Sequence, residues 1–167
     1  MILYEVRLEK QEPWVFDNAE DAFRNAFAFL GTKTRVVLLR KTYDDGVRIG
    51  TTRLSVAKFR DLFHRLIGLC KGYEYVKATH VRKCCGSEDE SDWGDPMRKS
   101  GAIACLAATL AEFEPTSELT IDDYGYVPHF YDVFHVMRVY ATNELVGKWD
   151  LVYETPQADP KPHVMDW

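Results

Sequence analysis

The chain has 167 residues, 46% of them hydrophobic and 28% charged, with a formal net charge of −5. That length and balance suit one globular domain with its own core and exclude wholesale disorder, and no run approaches the ~18 apolar residues of a membrane span. The charge is segregated along the sequence: residues 33–83 hold 13 Lys/Arg and 4 Asp/Glu, a balance of +9, against 8 and 22 elsewhere, a balance of −14.

Ile2 to Glu9 alternates, with Ile2, Tyr4, Val6 and Leu8 on one side, and predicts a strand with one buried face. No basic segment precedes it, so no secretory leader is expected. Gln11 to Phe16, with Pro13 and Trp14, reads as a loop. A helix is expected from Asp17, which makes a capping-box-like pair with Glu20. Its apolar face is Ala19, Ala22, Phe23, Ala26, Phe27 and Leu30, and Gly31 ends it.

Residues 34–71 are the stretch whose local signals agree at every step. Arg35 to Tyr43 is a β-branched and leucine-rich run, Asp44-Asp45-Gly46 supplies a tight turn, and Val47 to Arg53 resumes the extended pattern. Ser55 then stands as the cap of a helix running to Cys70, with Val56, Phe59, Leu62, Phe63, Leu66 and Ile67 at spacings of three and four. Gly72 closes it.

Tyr73 to Arg82 reads as another strand, and Cys84 to Pro96 as a loop rich in Gly, Ser, Asp and Pro. Asp95-Pro96 should open a third helix, whose core side is Ile103, Leu106, Leu110 and Phe113. Glu114 to Ser117 is a turn, Leu119 to Ile121 a short strand, and residues 122–132 an irregular aromatic segment. Val133 to Ala141 and Leu145 to Glu154 should be strands joined around Thr142-Asn143-Glu144, and the tail from Thr155 carries three prolines and no periodicity. These elements predict an α+β fold. It would be a single domain over 1–154 with a mixed, mainly antiparallel sheet, about three helices and the approximate order β-α-β-β-α-β-α-β-β-β, then an extended tail over 155–167.

Five carboxylates, Glu88, Asp89, Glu90, Asp92 and Asp95, fall within eight residues around Trp93. Such a run is ordinarily a solvated connection, whose charge reversal leaves stability nearly unchanged. Its functional reading is an electrostatic hook for a basic partner, with Trp93 as aromatic anchor. Calcium chemistry fails on spacing, because Trp93 stands where an oxygen ligand is wanted before Gly94. The aromatic segment with Tyr124, Tyr126 and Tyr131 suits a small-ligand pocket and a protein-facing patch equally well, and core packing beside the C-terminal hairpin is favoured over either.

The basic stretch includes Arg60 and Arg65 on the second helix and Arg82 on the strand after it. It could bind phosphates, yet no glycine-rich phosphate loop, zinc-finger spacing or RNA-recognition signature accompanies it. His80 and His135 fall in predicted strands. Two-histidine phosphoesterases want a hydroxyl residue two after each histidine; here Arg82 and Met137 stand there, so that chemistry is not carried over. His80, Cys84 and Cys85 fall one ligand short of a structural zinc site. Four cysteines in a chain this long form no disulfide framework, which points to a reducing cytoplasm.

Two functional readings stay open. The first is a small cytoplasmic macromolecule-binding protein of inhibitor, immunity or counter-defence type, docking without catalysis through Glu88, Asp89, Glu90, Asp92, Trp93, Tyr124, Tyr126 and Tyr131. The second is an enzyme or ligand-binding domain acting on a phosphorylated or nucleotide substrate through Arg60, Arg65, His80, Arg82 and His135. The lack of a recognised catalytic spacing favours the first. No cofactor, metal or membrane is expected, and a protein partner is favoured over nucleic acid.

Overall fold

The structure, a computed structural model, describes residues 1–84, 86–124 and 127–159, without the side chains of 118–124 and 127–131. It is an α+β fold with three helices and two sheets, and every strand pairing in it is antiparallel. The chain forms two compact units, one built from Met1–Lys71 with Ser100–Phe113 and the other from Gly72–Lys99 with the segment from Glu114 on.

In the first unit, strands β1 (Ile2–Leu8), β2 (Trp14–Phe16), β3 (Val36–Asp44) and β4 (Val47–Leu54) form a sheet in the order β2-β1-β3-β4. The β3–β4 turn sits where Asp-Gly predicts it, with φ of 49° at Asp45 and 75° at Gly46, conformations that this pair tolerates and a β-branched residue does not. Period two places Tyr4, Val6 and Leu8 on the buried face of β1, beside Leu38 and Leu54. Helix α1 (Ala19–Phe27) adds Ala22, Phe23 and Ala26 to the core, and helix α2 (Val56–Leu69) adds Val56, Phe59, Leu62 and Leu66. Phe23 stacks on Phe59 at 4.9 Å, the kind of aromatic pair that adds to simple area burial.

Helix α3 (Lys99–Glu112) buries eight of its fourteen residues, and its small side chains let it lie close to its neighbours. Its C-terminal end is tied to the sheet and to α2. Tyr4 donates to Glu112 at 2.7 Å, Arg40 lies 3.5 Å from the same carboxylate, and the Lys58 ammonium donates to the Phe113 carbonyl.

In the second unit, β5 (Tyr75–Cys84), β6 (Ser87–Arg98), β7 (Thr116–Tyr124), β8 (Val127–Thr142) and β9 (Asp150–Glu154) form the other sheet. Its order is β6-β5-β8-β7, and β9 pairs with the second half of β8 on the side where β7 pairs with the first. The 16-residue β8 is thus the spine of this unit. Val76, Val81, Val133, Val136 and Val139 are fully buried along β5 and β8.

Several expectations shift. The strands separate into two sheets instead of one. Each has an edge strand with charge of one sign, Arg48 and Arg53 on β4 and the carboxylates of β6, which keeps that edge from pairing with its own kind. The segment read as an acidic loop is the 12-residue strand β6. Asp95-Pro96 therefore ends a strand instead of opening a helix, and α3 starts at Lys99. Trp14–Phe16 pairs with β1 as a short edge strand. Helix α1 is capped by Asn18, whose side chain accepts from the Asp21 backbone N–H at 2.9 Å, because Asn in extended backbone satisfies that donor as well as Asp17 would. The irregular aromatic segment lies largely in the β7–β8 hairpin, whose tip, Gly125 and Tyr126, is outside the described residues. Leu145 and Val146 are exposed and precede β9, so the alternation there reflects a turn and not a strand. The tail is anchored where it begins: Thr155 is buried and donates its N–H to the Met137 carbonyl, while Met137 donates to the Thr155 hydroxyl.

Candidate functional site

The second sheet carries most of the chemistry-bearing residues, and β5 and β6 position them. Cys84 pairs with Ser87, with Gly86 at φ 79° in the turn before Ser87, and Ser87 donates its hydroxyl to the Cys84 carbonyl. The pairing sets basic β5 against acidic β6: Lys83 opposite Glu88 and Arg82 opposite Asp89, each pair 3.9 Å apart. A self-repelling run of carboxylates becomes a strand because cations stand across from it.

The pleat then divides the acidic residues between two faces. On one, Glu88, Glu90 and Asp92 lie over Lys83, Val81 and Thr79. Arg138 of β8 reaches across β5 to Glu88 at 3.1 Å and Glu90 at 3.4 Å, and contacts Glu154 of β9 at 3.4 Å. Glu90 also accepts from Thr79 at 2.7 Å and from the Tyr140 hydroxyl. The Arg138 hydrogen bond holds the Glu88 carboxyl below its ordinary range. Burial pushes Glu90 up, but hydrogen bonds from Tyr140 and Thr79 and the charge of Arg138 outweigh it and hold it low. These two carboxylates are occupied within the fold. Asp92, 4.0 Å from Lys77, remains 73% exposed.

The opposite face brings together, by register, Asp89, Ser91 and Trp93 on β6, Arg82, His80 and Ala78 on β5, and His135, Met137 and Val139 on β8. Asp89 and Trp93 are exposed there, at 87% and 43%. His80 and His135 sit diagonally across the β5–β8 pairing with Nε2 and Nδ1 3.0 Å apart and ring planes within 10° of parallel. The facing nitrogens account for most of the 5.1 Å between ring centres, so the rings meet edge to edge along an N–H···N hydrogen bond. Burial, and secondly the charge of His135, push the His80 imidazole below its ordinary range. The facing nitrogens bond to each other and are not arranged to converge on a metal ion. Among the described residues no group of three or more His, Cys, Asp and Glu side chains could hold one.

Of the basic residues singled out in the sequence, His80, Arg82 and His135 share this face, whereas Arg60 and Arg65 belong to α2 of the first unit. Arg60 bonds its neighbour Asp61 at 3.1 Å. Tyr126 lies outside the described residues, as do the side chains of Tyr124 and Tyr131. Sequence reasoning missed Arg138, Tyr140 and Glu154, which organise the polar face of the sheet. Only the pairing of β8 with β5 and β9 could have found them. No helix among the described residues is long and apolar enough to cross a membrane. Comparison with protein-family models, with curated proteins and with solved structures finds no match for the chain.

Proposed function

We propose that this is a small macromolecule-binding protein that captures a basic protein partner on the acidic edge strand β6, without catalysis. The observation that supports it is the exposure of β6 along nearly its whole length, at the edge of its sheet. There Asp89, Asp92 and Asp95 offer carboxylates to solvent beside the half-exposed indole of Trp93. Exposed charge of one sign accelerates encounter with a partner of the other sign, and a desolvated aromatic side chain slows departure. An edge strand adds unpaired backbone groups that an extended segment can meet. Glu88 and Glu90 hold the strand in place and leave docking to the other three. Inhibitors, immunity proteins and counter-defence proteins act by such docking. A reducing cytoplasm suits a sequence with adjacent cysteines at 84 and 85.

The test is capture from a host extract on the immobilised protein, wild type against Asp89→Lys/Asp92→Lys/Asp95→Lys, with mass spectrometry of what is retained. Basic proteins held by the wild type and lost from the variant support the reading; equal retention by both defeats it.

A second reading has its own observation, the meeting of His80 and His135 beside Arg82, on the face of the strand pair that also carries Asp89 and Trp93. A hydrogen-bonded imidazole pair next to a guanidinium suits the anionic group of a phosphorylated or nucleotide ligand. Titrating inorganic phosphate and a nucleoside monophosphate while following the imidazole nitrogens by NMR tests it. Resonances of both histidines that stay unmoved at saturating ligand exclude it.

A further inference from the structure

We propose that copies of this chain associate head to tail, the basic edge strand β4 of one copy accepting the acidic edge strand β6 of another as an added strand. This assembly uses β6 as a docking strand and so rests on that reading, while giving the strand a stated occupant.

β4 is the outermost strand of the first sheet, and among the described residues no strand lies beyond it. An edge strand presents alternate N–H and C=O groups outward, a template for another strand wherever bulges, prolines or like charges do not protect it; β4 is bulged at Ile49, where its pairing with β3 shifts register, and runs regularly from Gly50 to Leu54. Seven of the eight residues of β4 are exposed. Val47 and Ile49, at 64% and 65% exposure, are apolar side chains of the kind that an added strand would cover. The strand carries Arg48 and Arg53 and no acidic residue. Among the described residues neither arginine makes an ion pair.

Charge selects the occupant. Pairing β4 with a second β4 sets cations against cations, and pairing β6 with a second β6 sets carboxylates against carboxylates; like charges across a strand pair are destabilising. Only β4 against β6 brings opposite signs together. The regular part of β6 runs from Ser87 to Trp93, since its pairing with β5 shifts register beyond that point. An antiparallel setting of this part on Gly50–Leu54, the run of β4 beyond its bulge, places Arg53 opposite Asp89 and Gly50 opposite Asp92, with Arg48 just across the bulge. β4 and β6 are different strands, so the contact is heterologous. It therefore continues from copy to copy, giving rings if the rotation closes and open filaments if it does not.

Sedimentation velocity over a range of protein concentration, at low and high salt, tests this on the full chain. Wild type should associate with rising concentration and dissociate at high salt, because exposed charges act through a screened field. Arg48→Glu/Arg53→Glu and Asp89→Lys/Asp92→Lys should each lose association by about tenfold or more, the scale on which like-charge juxtaposition acts. Mixed in equal amounts, the two variants should associate again, since each then offers the other an edge of opposite sign, and that recovery also shows both to be folded. Association by either variant alone as strong as wild type overturns the proposal. So does a mixture that stays monomeric while both variants melt cooperatively. A wild type that is monomeric at every concentration, yet still retains a basic partner through Asp89 and Asp92, overturns self-association and leaves the docking role of β6 standing.

Discussion

Arg138 on β8 donates to Glu88 on β6 at 3.1 Å, although β5 lies between their strands. The guanidinium spans a whole strand because the residues beneath it, Val81 and Thr79, are short. Only 12% of the Arg138 side chain is exposed, and Glu88, Glu90 and Glu154 all face it. This one cation fastens the outer strand and the last strand to the spine of the second sheet.

Replacing Arg138 by Met should therefore loosen the β5–β6 hairpin. Charge-assisted hydrogen bonds contribute about 1.5–3 kcal/mol each when partly buried, and the carboxylates left behind repel one another. A loss of about 1–3 kcal/mol in global stability is expected by denaturant titration, with faster amide hydrogen exchange along β6. Unchanged exchange in β6 would show that Arg138 is not its fastening.

Acidic substitutions should separate into two groups. Glu88→Lys/Glu90→Lys reverses charges that meet Arg138 and should lower the melting temperature. Asp89→Lys/Asp92→Lys/Asp95→Lys reverses exposed charges and should shift it little, since exposed substitutions away from such partners stay within about 0.5 kcal/mol. Differential scanning calorimetry distinguishes the two sets, and equal destabilisation by both would contradict the division of the β6 carboxylates into a held pair and an exposed three.

Stability should fall as solution turns mildly acidic. His80 titrates below its ordinary value of 6.5 in the folded protein, through burial and then the neighbouring His135. The unfolded chain thus binds more protons in that window. The stability linked to neutral His80 is fully present above about 6.5 and is lost as pH falls through the lower folded value. His80→Gln should flatten the slope of unfolding free energy below about pH 6.5. Glu88 and Glu90, held low, lose their own contribution only further into acid. A wild-type slope retained in His80→Gln would assign the proton to another group.

Leu66 has no exposed surface, and Leu62 is 9% exposed. Leu66→Ala should cost ~2–5 kcal/mol and Leu62→Ala should fall toward the lower end, as buried leucines do. Urea unfolding measures both, and a change under about 1 kcal/mol at Leu66 would misplace the α2 core face.

The first unit was the more legible in sequence, for a physical reason. Ser55, the three-and-four spacing of Phe59, Leu62 and Leu66, and the positive-φ pair Asp45-Gly46 are local signals, and local energetics suffices to realise them. β6 was hidden because its stabilising partners are distant in sequence: Glu88 depends on Arg138 and Glu90 on Tyr140, each about fifty residues on. A subtler signal was present, the mirror arrangement of Arg82 and Lys83 against Glu88 and Asp89 about positions 85 and 86, which is what a hairpin of opposite charges looks like along a chain. The His80–His135 contact was open to guesswork only, since both histidines lay in predicted strands whose pairing register sequence does not specify.

The most direct test of the docking account is association and dissociation kinetics with the partner that wild-type protein retains, at low and high salt. Reversing Asp89, Asp92 and Asp95 should slow association sharply and remove most of its salt dependence, because screened long-range attraction governs encounter. Trp93→Ala should leave association alone and raise the dissociation rate, because a buried indole acts after contact. An association rate that is the same for the charge-reversed strand as for wild type, at both salt concentrations, would contradict it.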